Sequence, residues 1–96
     1  MKILALEKEL SGSQADHFAG DLKSEAMHVW SLYQSGVVRE LYFRQDRSDA
    51  VLVLECADAE AARDVINTLP LVRSGLIDFE LIPLIPYPGF SRLFAH

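Results

Sequence analysis

The sequence predicts an α+β domain with the element order βαββαβ, and three observations carry that prediction. Two segments of helical periodicity each stand between stretches rich in apolar and β-branched residues. A short polar connection at residues 45–49 joins the two halves, and glycine or proline closes each helical pattern where it ends. The 96 residues, half of them apolar, are sized for one core, so residues 1–96 are read as a single domain. A chain this short has little room for a large pocket of its own, which makes self-association an early expectation.

Residues 2–7 read as the first strand. Ser11, Gly12, Ser13 and Gln14 form a turn, and a helix is expected over about residues 15–35. In it Phe18, Leu22, Ala26, Val29, Trp30 and Tyr33 fall within an arc of roughly 120°, which predicts one buried face. Gly36 suits the helix C-terminus because it takes positive φ without a Cβ penalty. Residues 37–44 carry the β-branched and aromatic side chains of a second strand. After the hairpin connection, residues 51–56 are apolar almost without interruption, as expected of a strand covered on both faces. Asp58 is placed to cap a helix running through Ala62, Val65, Ile66 and Leu69, with Pro70 arresting it and residues 77–84 forming the last strand.

Each βαβ crossover makes its strands parallel, whereas the hairpin makes strands two and three antiparallel. Interleaving the halves gives a ferredoxin-like sandwich with sheet order 4-1-3-2 and both helices on one face. Strands one and three are then central, and their second apolar face lacks a cover. A second copy packed sheet to sheet supplies it, which predicts a homodimer shaped as an eight-stranded α/β barrel. Residues 85–96 form a C-terminal arm stiffened by Pro86 and Pro88, with Tyr87, Phe90 and Phe94 seeking burial. The arm lies across a partner or over a pocket mouth, or else folds back along its own helices.

Charge and motif content narrow the function. A net charge of −5 with three lysines provides no footprint for nucleic acid or anionic membrane. Strand three also lacks the stacking aromatics that RNA-binding domains of this topology use. Charges interrupt residues 1–9, where a signal peptide needs an apolar run, so a cytoplasmic protein is expected. Cys56 is single and His17, His28 and His96 have no metal-ligand spacing, so no metal is expected. No glycine-rich phosphate loop or nucleophile elbow occurs, and no cofactor is expected.

Four residues are candidates for chemistry. Glu25 lies about 40° from Val29 at the margin of the helical stripe, where partial desolvation raises a carboxylate's affinity for a proton and suits general acid–base work. The alternative is a solvated flank residue that captures an arginine. His28 is near enough along the helix to interact with Glu25, or is a surface histidine. Arg39 interrupts the set Val37, Leu41 and Phe43, so its guanidinium needs a carboxylate, from a ligand or from a structural acid. Tyr42, on the opposite strand face with Val38, Glu40 and Arg44, is placed to orient a small-molecule ligand through its hydroxyl.

The passage with Glu25, Gly36 and Arg39, together with Leu69-Pro70-Leu71 leading to Ile77-Asp78-Phe79-Glu80, resembles the muconolactone delta-isomerase family of the dimeric α/β-barrel superfamily. The resemblance spans about residues 23–84. It implies a cofactor-free isomerase whose pocket, between helix and sheet, moves a proton on an unsaturated lactone bearing a carboxylate, with Glu25 as base or shuttle and Arg39 as anchor. The chain departs from the family pattern at Ala26, where a lysine follows the glutamate, at Leu41 and Phe43, where polar residues stand, and in its apolar tail. Two functions are therefore carried forward. One is an isomerase acting on a small lactone or carboxylated metabolite, and the other is a non-catalytic small-molecule-binding or accessory module of the same fold.

Overall fold

Backbone pairing in a computed structural model, which describes residues 1–10 and 22–94, builds one antiparallel sheet from strands β1 (Lys2–Glu9), β2 (Val38–Phe43), β3 (Ala50–Glu55) and β4 (Ile77–Pro83). Its order is β2-β3-β1-β4, the expected ferredoxin-like arrangement. Helix α1 (Leu22–Gln34) crosses from β1 to β2, and α2 (Ala59–Ile66) with the short α3 (Pro70–Arg73) crosses from β3 to β4. The expected turn at Ser11 to Gln14, the helical residues 15–21 with His17 and Phe18, and His96 lie outside the described residues.

Local chemistry sets the element ends. Gly36 adopts φ +86°, and its N–H and that of Val37 donate to the carbonyls of Tyr33 and Leu32, which closes α1 with a left-handed cap. The Asp58 carboxylate accepts from the Ala61 N–H at 2.8 Å and starts α2. The helix ends at Ile66, short of the expected Leu69, so Pro70 does not arrest it. The proline occupies the first turn of α3, where its missing N–H has no intrahelical partner to lose.

Strand register decides which side chains face the helices. Ile3 pairs with Leu54, Ala5 with Leu52 and Leu81, and Glu7 with Phe79, so these residues share the covered face. Ile3, Ala5, Leu54, Phe79, Ile66 and Leu69 are sealed there and form the heart of the core. The other face carries Leu4, Leu6, Val51, Val53 and Ile82, all only half-buried and covered by no element of the described chain. Among the described residues no helix is long and apolar enough to cross a membrane.

Two expectations change. A bulge between Val38 and Glu40 shifts the phase of β2, so Val38 joins Leu41 and Phe43 on the helix side while Glu40 and Tyr42 face the other way. Strict alternation instead groups Val38 with Tyr42 and Arg39 with Leu41, and the extra residue in the bulge undoes both pairings. The arm also does not fold back along its own helices: Tyr87, Phe90, Leu93 and Phe94 are 66–76% exposed.

Candidate functional site

A cavity of about 780 Å³ separates α1 from the sheet. Its wall is the helical stripe of Leu22, Glu25, Ala26, Val29, Trp30 and Tyr33, and its floor comes from Leu52, Ile77 and Phe79 of the sheet. The periodicity aims this stripe at the sheet as expected, but the stripe is not buried. No residue of α1 is sealed from solvent, and Trp30 and Tyr33 stack on each other at 5.9 Å while remaining about half exposed. The strand residues Leu41 and Phe43 complete an apolar rim.

Against these apolar walls stand three carboxylates, Glu7, Glu9 and Glu25. Glu25 is half-buried, and its Oε1 accepts the backbone N–H of Leu71 at 3.0 Å, so α3 holds one end of the carboxylate in place. Glu7 accepts from the Ala50 N–H at 3.0 Å. Burial pushes the Glu7 carboxyl above the usual range; the Ala50 bond opposes this, and the charges of Asp49, Glu9 and Glu25 add to the rise. Among the described residues no lysine, arginine or histidine lines the cavity, so its field favours protonated carboxyls.

The structure brings Glu25 and Tyr42 to the cavity and holds His28 and Arg39 away from its lining. Tyr42 borders the rim through its place on β2, but its side chain turns to the other face of the sheet, where its hydroxyl donates to Glu40 Oε1 at 2.9 Å, and that bond raises its affinity for its proton. His28 Nε2 meets Thr68 Oγ1 at 2.7 Å, which ties α1 to the segment after α2. Arg39, projecting from the bulge, donates from Nε to the Gly36 carbonyl at the C-terminus of α1. Its guanidinium thereby engages a helix end. Glu7 is the residue that reading for motifs misses, and its signal is the alternation of Ile3, Ala5, Glu7 and Glu9 along β1.

Cys56 follows β3, half-buried, and burial raises its thiol pKa, which disfavours the reactive thiolate. Among the described residues no group of three or more histidine, cysteine or acidic side chains is arranged to hold a metal ion.

No family model matches the chain, and no curated protein matches its sequence. Solved structures do match it, among them the 3.3 Å crystal structure of muconolactone isomerase, with a TM-score of 0.73 over 93% of each chain. This chain has the fold of muconolactone isomerase. The two sequences are 23% identical, so what they share is the course of the backbone. Coverage of nearly the whole of muconolactone isomerase means that sheet and helices correspond as one unit.

Proposed function

We infer that this chain is a cofactor-independent isomerase of the cytosol that shifts a proton within a small unsaturated molecule, a lactone or carboxylated metabolite, held between α1 and the sheet. The observation that carries this reading is the pair of half-buried carboxylates, Glu25 and Glu7, facing one apolar cavity. The crystal structure sharing the fold is that of an isomerase, which favours the same class of reaction.

Proton transfer next to a carbonyl needs a base on one side and an acid on the other. Glu25, steadied by the Leu71 N–H, removes the proton from the carbon beside the carbonyl, and the electron pair moves into a dienolate. Glu7, whose burial favours its protonated form, returns a proton at the far end of the conjugated system. Transfer of the proton from Glu25 back to Glu7 resets the pair. His28 and Arg39 set the position of α1 through Thr68 and Gly36, while Tyr42 is turned away from the ligand with its hydroxyl on Glu40. Two copies pair through the bare sheet face of Leu4, Leu6, Val51 and Val53, which removes that apolar surface from water.

Exchange of solvent deuterium into small unsaturated lactones, followed by NMR, tests the reading. The wild-type chain is expected to catalyse exchange, and Glu25→Gln is expected to slow it by ~100-fold or more. A non-catalytic binding module is the second reading, favoured by the use of one Glu25 oxygen to tie α3 to α1. It predicts that lactones bind equally to both proteins without exchange in either.

A further inference from the structure

The sheet ends in two edge strands, and β4 is one of them. In an antiparallel ladder the backbone N–H and C=O of successive residues point alternately towards the neighbouring strand and away from it. Bonds from the Leu10 N–H to the Leu76 carbonyl and from the Leu84 N–H to the Lys2 carbonyl fix that alternation at both ends of the β1–β4 pairing. Asp78, Glu80 and Ile82 therefore turn their backbone groups towards β1, while Ile77, Phe79, Leu81 and Pro83 turn theirs to the open side. An open strand edge is a template for a strand of another chain.

At Phe79 that template is already filled. Its N–H donates to Asp78 Oδ1 at 2.8 Å, and its carbonyl accepts from Arg63 Nη2 at 2.8 Å. Arg63 reaches across from α2 and closes the set, donating from Nη1 to the same Asp78 Oδ1 at 2.7 Å. The planar guanidinium suits this task, since its two nitrogens meet a carboxylate and a carbonyl at once. An ion pair with partners 38% and 33% exposed contributes little by its charges alone. What this one adds is a partner for each of two backbone groups that no strand of the described chain meets. Farther along the same edge, Pro83 has no N–H to offer an incoming strand. Leu81 is the internal comparison, because among the described residues no side chain bonds its outward N–H or C=O.

We propose that Asp78 and Arg63 stand in for a neighbouring strand at Phe79 and so keep β4 from taking up a strand of another copy of this chain. The device needs an oxygen acceptor beside the Phe79 N–H and a donor beside its carbonyl, and the charge of the pair is secondary to that geometry. It is independent of pairing through the sheet face and of any catalysis.

Amide hydrogen exchange by NMR on the full chain tests it, with sedimentation velocity as the second readout. In the wild type the Phe79 amide is expected to exchange more slowly than the Leu81 amide, although both face the open edge. Asp78→Ala is expected to speed Phe79 exchange by about tenfold or more, the size of losing one hydrogen bond to a charged group. Glu80 and Ile82, which face β1, keep their protection and mark the change as local. Asp78→Asn removes the charge but keeps an oxygen acceptor, and is expected to retain most of the protection. The Arg63→Ala, Asp78→Ala double variant is expected to form species larger than any of the wild type as concentration rises, whereas Asp78→Asn sediments as the wild type does. A wild-type Phe79 amide as fast as that of Leu81 overturns the proposal without any variant. Equal loss of protection in Asp78→Asn and Asp78→Ala overturns the part played by the acceptor, and a double variant that sediments like the wild type overturns the guarding of the edge.

Discussion

Helices α1 and α2 lie on the same face of one sheet, yet they are held there by different means. In α2, Ala62 and Ile66 are completely sealed against the core, and Asp58 caps the helix start. In α1, a longer helix, no residue is sealed, and its apolar stripe looks across a cavity. The second helix is fixed by close packing. The first is fixed at points: His28 to Thr68, Glu25 to Leu71, and the Gly36 cap with Arg39. Close packing fills space and leaves nothing to bind, whereas a helix held by a few polar ties leaves a chamber and accepts less buried apolar area in return. The difference gives close packing to one half of the molecule and a cavity to the other.

Truncation on the packed side therefore produces the largest effect. Phe79→Ala and Ile66→Ala are each expected to cost about 2–5 kcal/mol in urea denaturation, because both side chains are sealed and the cavity left behind cannot collapse fully. Val29→Ala on α1 is expected to cost less than ~1.5 kcal/mol, since the side chain borders existing space. Equal losses at Ile66 and Val29 would erase the contrast between the helices.

Cap removal comes next. Asp58→Ala is expected to cost about 1 kcal/mol by losing the bond to the Ala61 N–H, and Gly36→Ala about 1–2 kcal/mol because its φ of +86° is strained for any residue with a Cβ. Both are read from denaturation midpoints at constant slope.

The smallest effect carries a sign that depends on pH. The Glu7 carboxyl binds its proton more tightly in the folded chain than its ordinary value of 4.5, so its contribution to stability is fully present below that value and is lost as pH rises through the folded pKa. Replacing it with Gln, which keeps an acceptor for the Ala50 N–H, is expected to raise stability at neutral pH, with the gain fading as pH falls towards 4.5. Melting temperatures of the two proteins across this range check the direction. A Gln variant less stable than wild type at pH 7 would show that the buried charge is compensated.

Much of the fold is readable in the sequence because periodicity and cap chemistry act locally. The Gly36 closure, the Asp58 cap and the two-faced apolar runs of β1 and β3 all lie within a few residues of their causes. What is not readable depends on distances between elements. The bulge at Arg39 reverses the facing of Val38, and no local residue pattern in β2 announces it. The stripe of α1 is readable as a face, but whether that face is sealed or stands off depends on α3, forty-six residues from Glu25 along the chain. Glu25 at the edge of the stripe follows from the helical wheel. Glu7 was within reach of the same logic, yet apolar residues on both faces of β1 hide its alternation.

The central claim is that α1 stands over a chamber whose half-buried acids, Glu7 and Glu25, respond to what enters it. Carbon-13 NMR titration of the Glu7 and Glu25 carboxyls, with and without a small unsaturated lactone, tests this most directly. The account predicts a Glu7 midpoint above the ordinary glutamate value and a displacement of both titrations when the lactone is added. Two ordinary midpoints, unmoved by the ligand at saturating concentration, would contradict it.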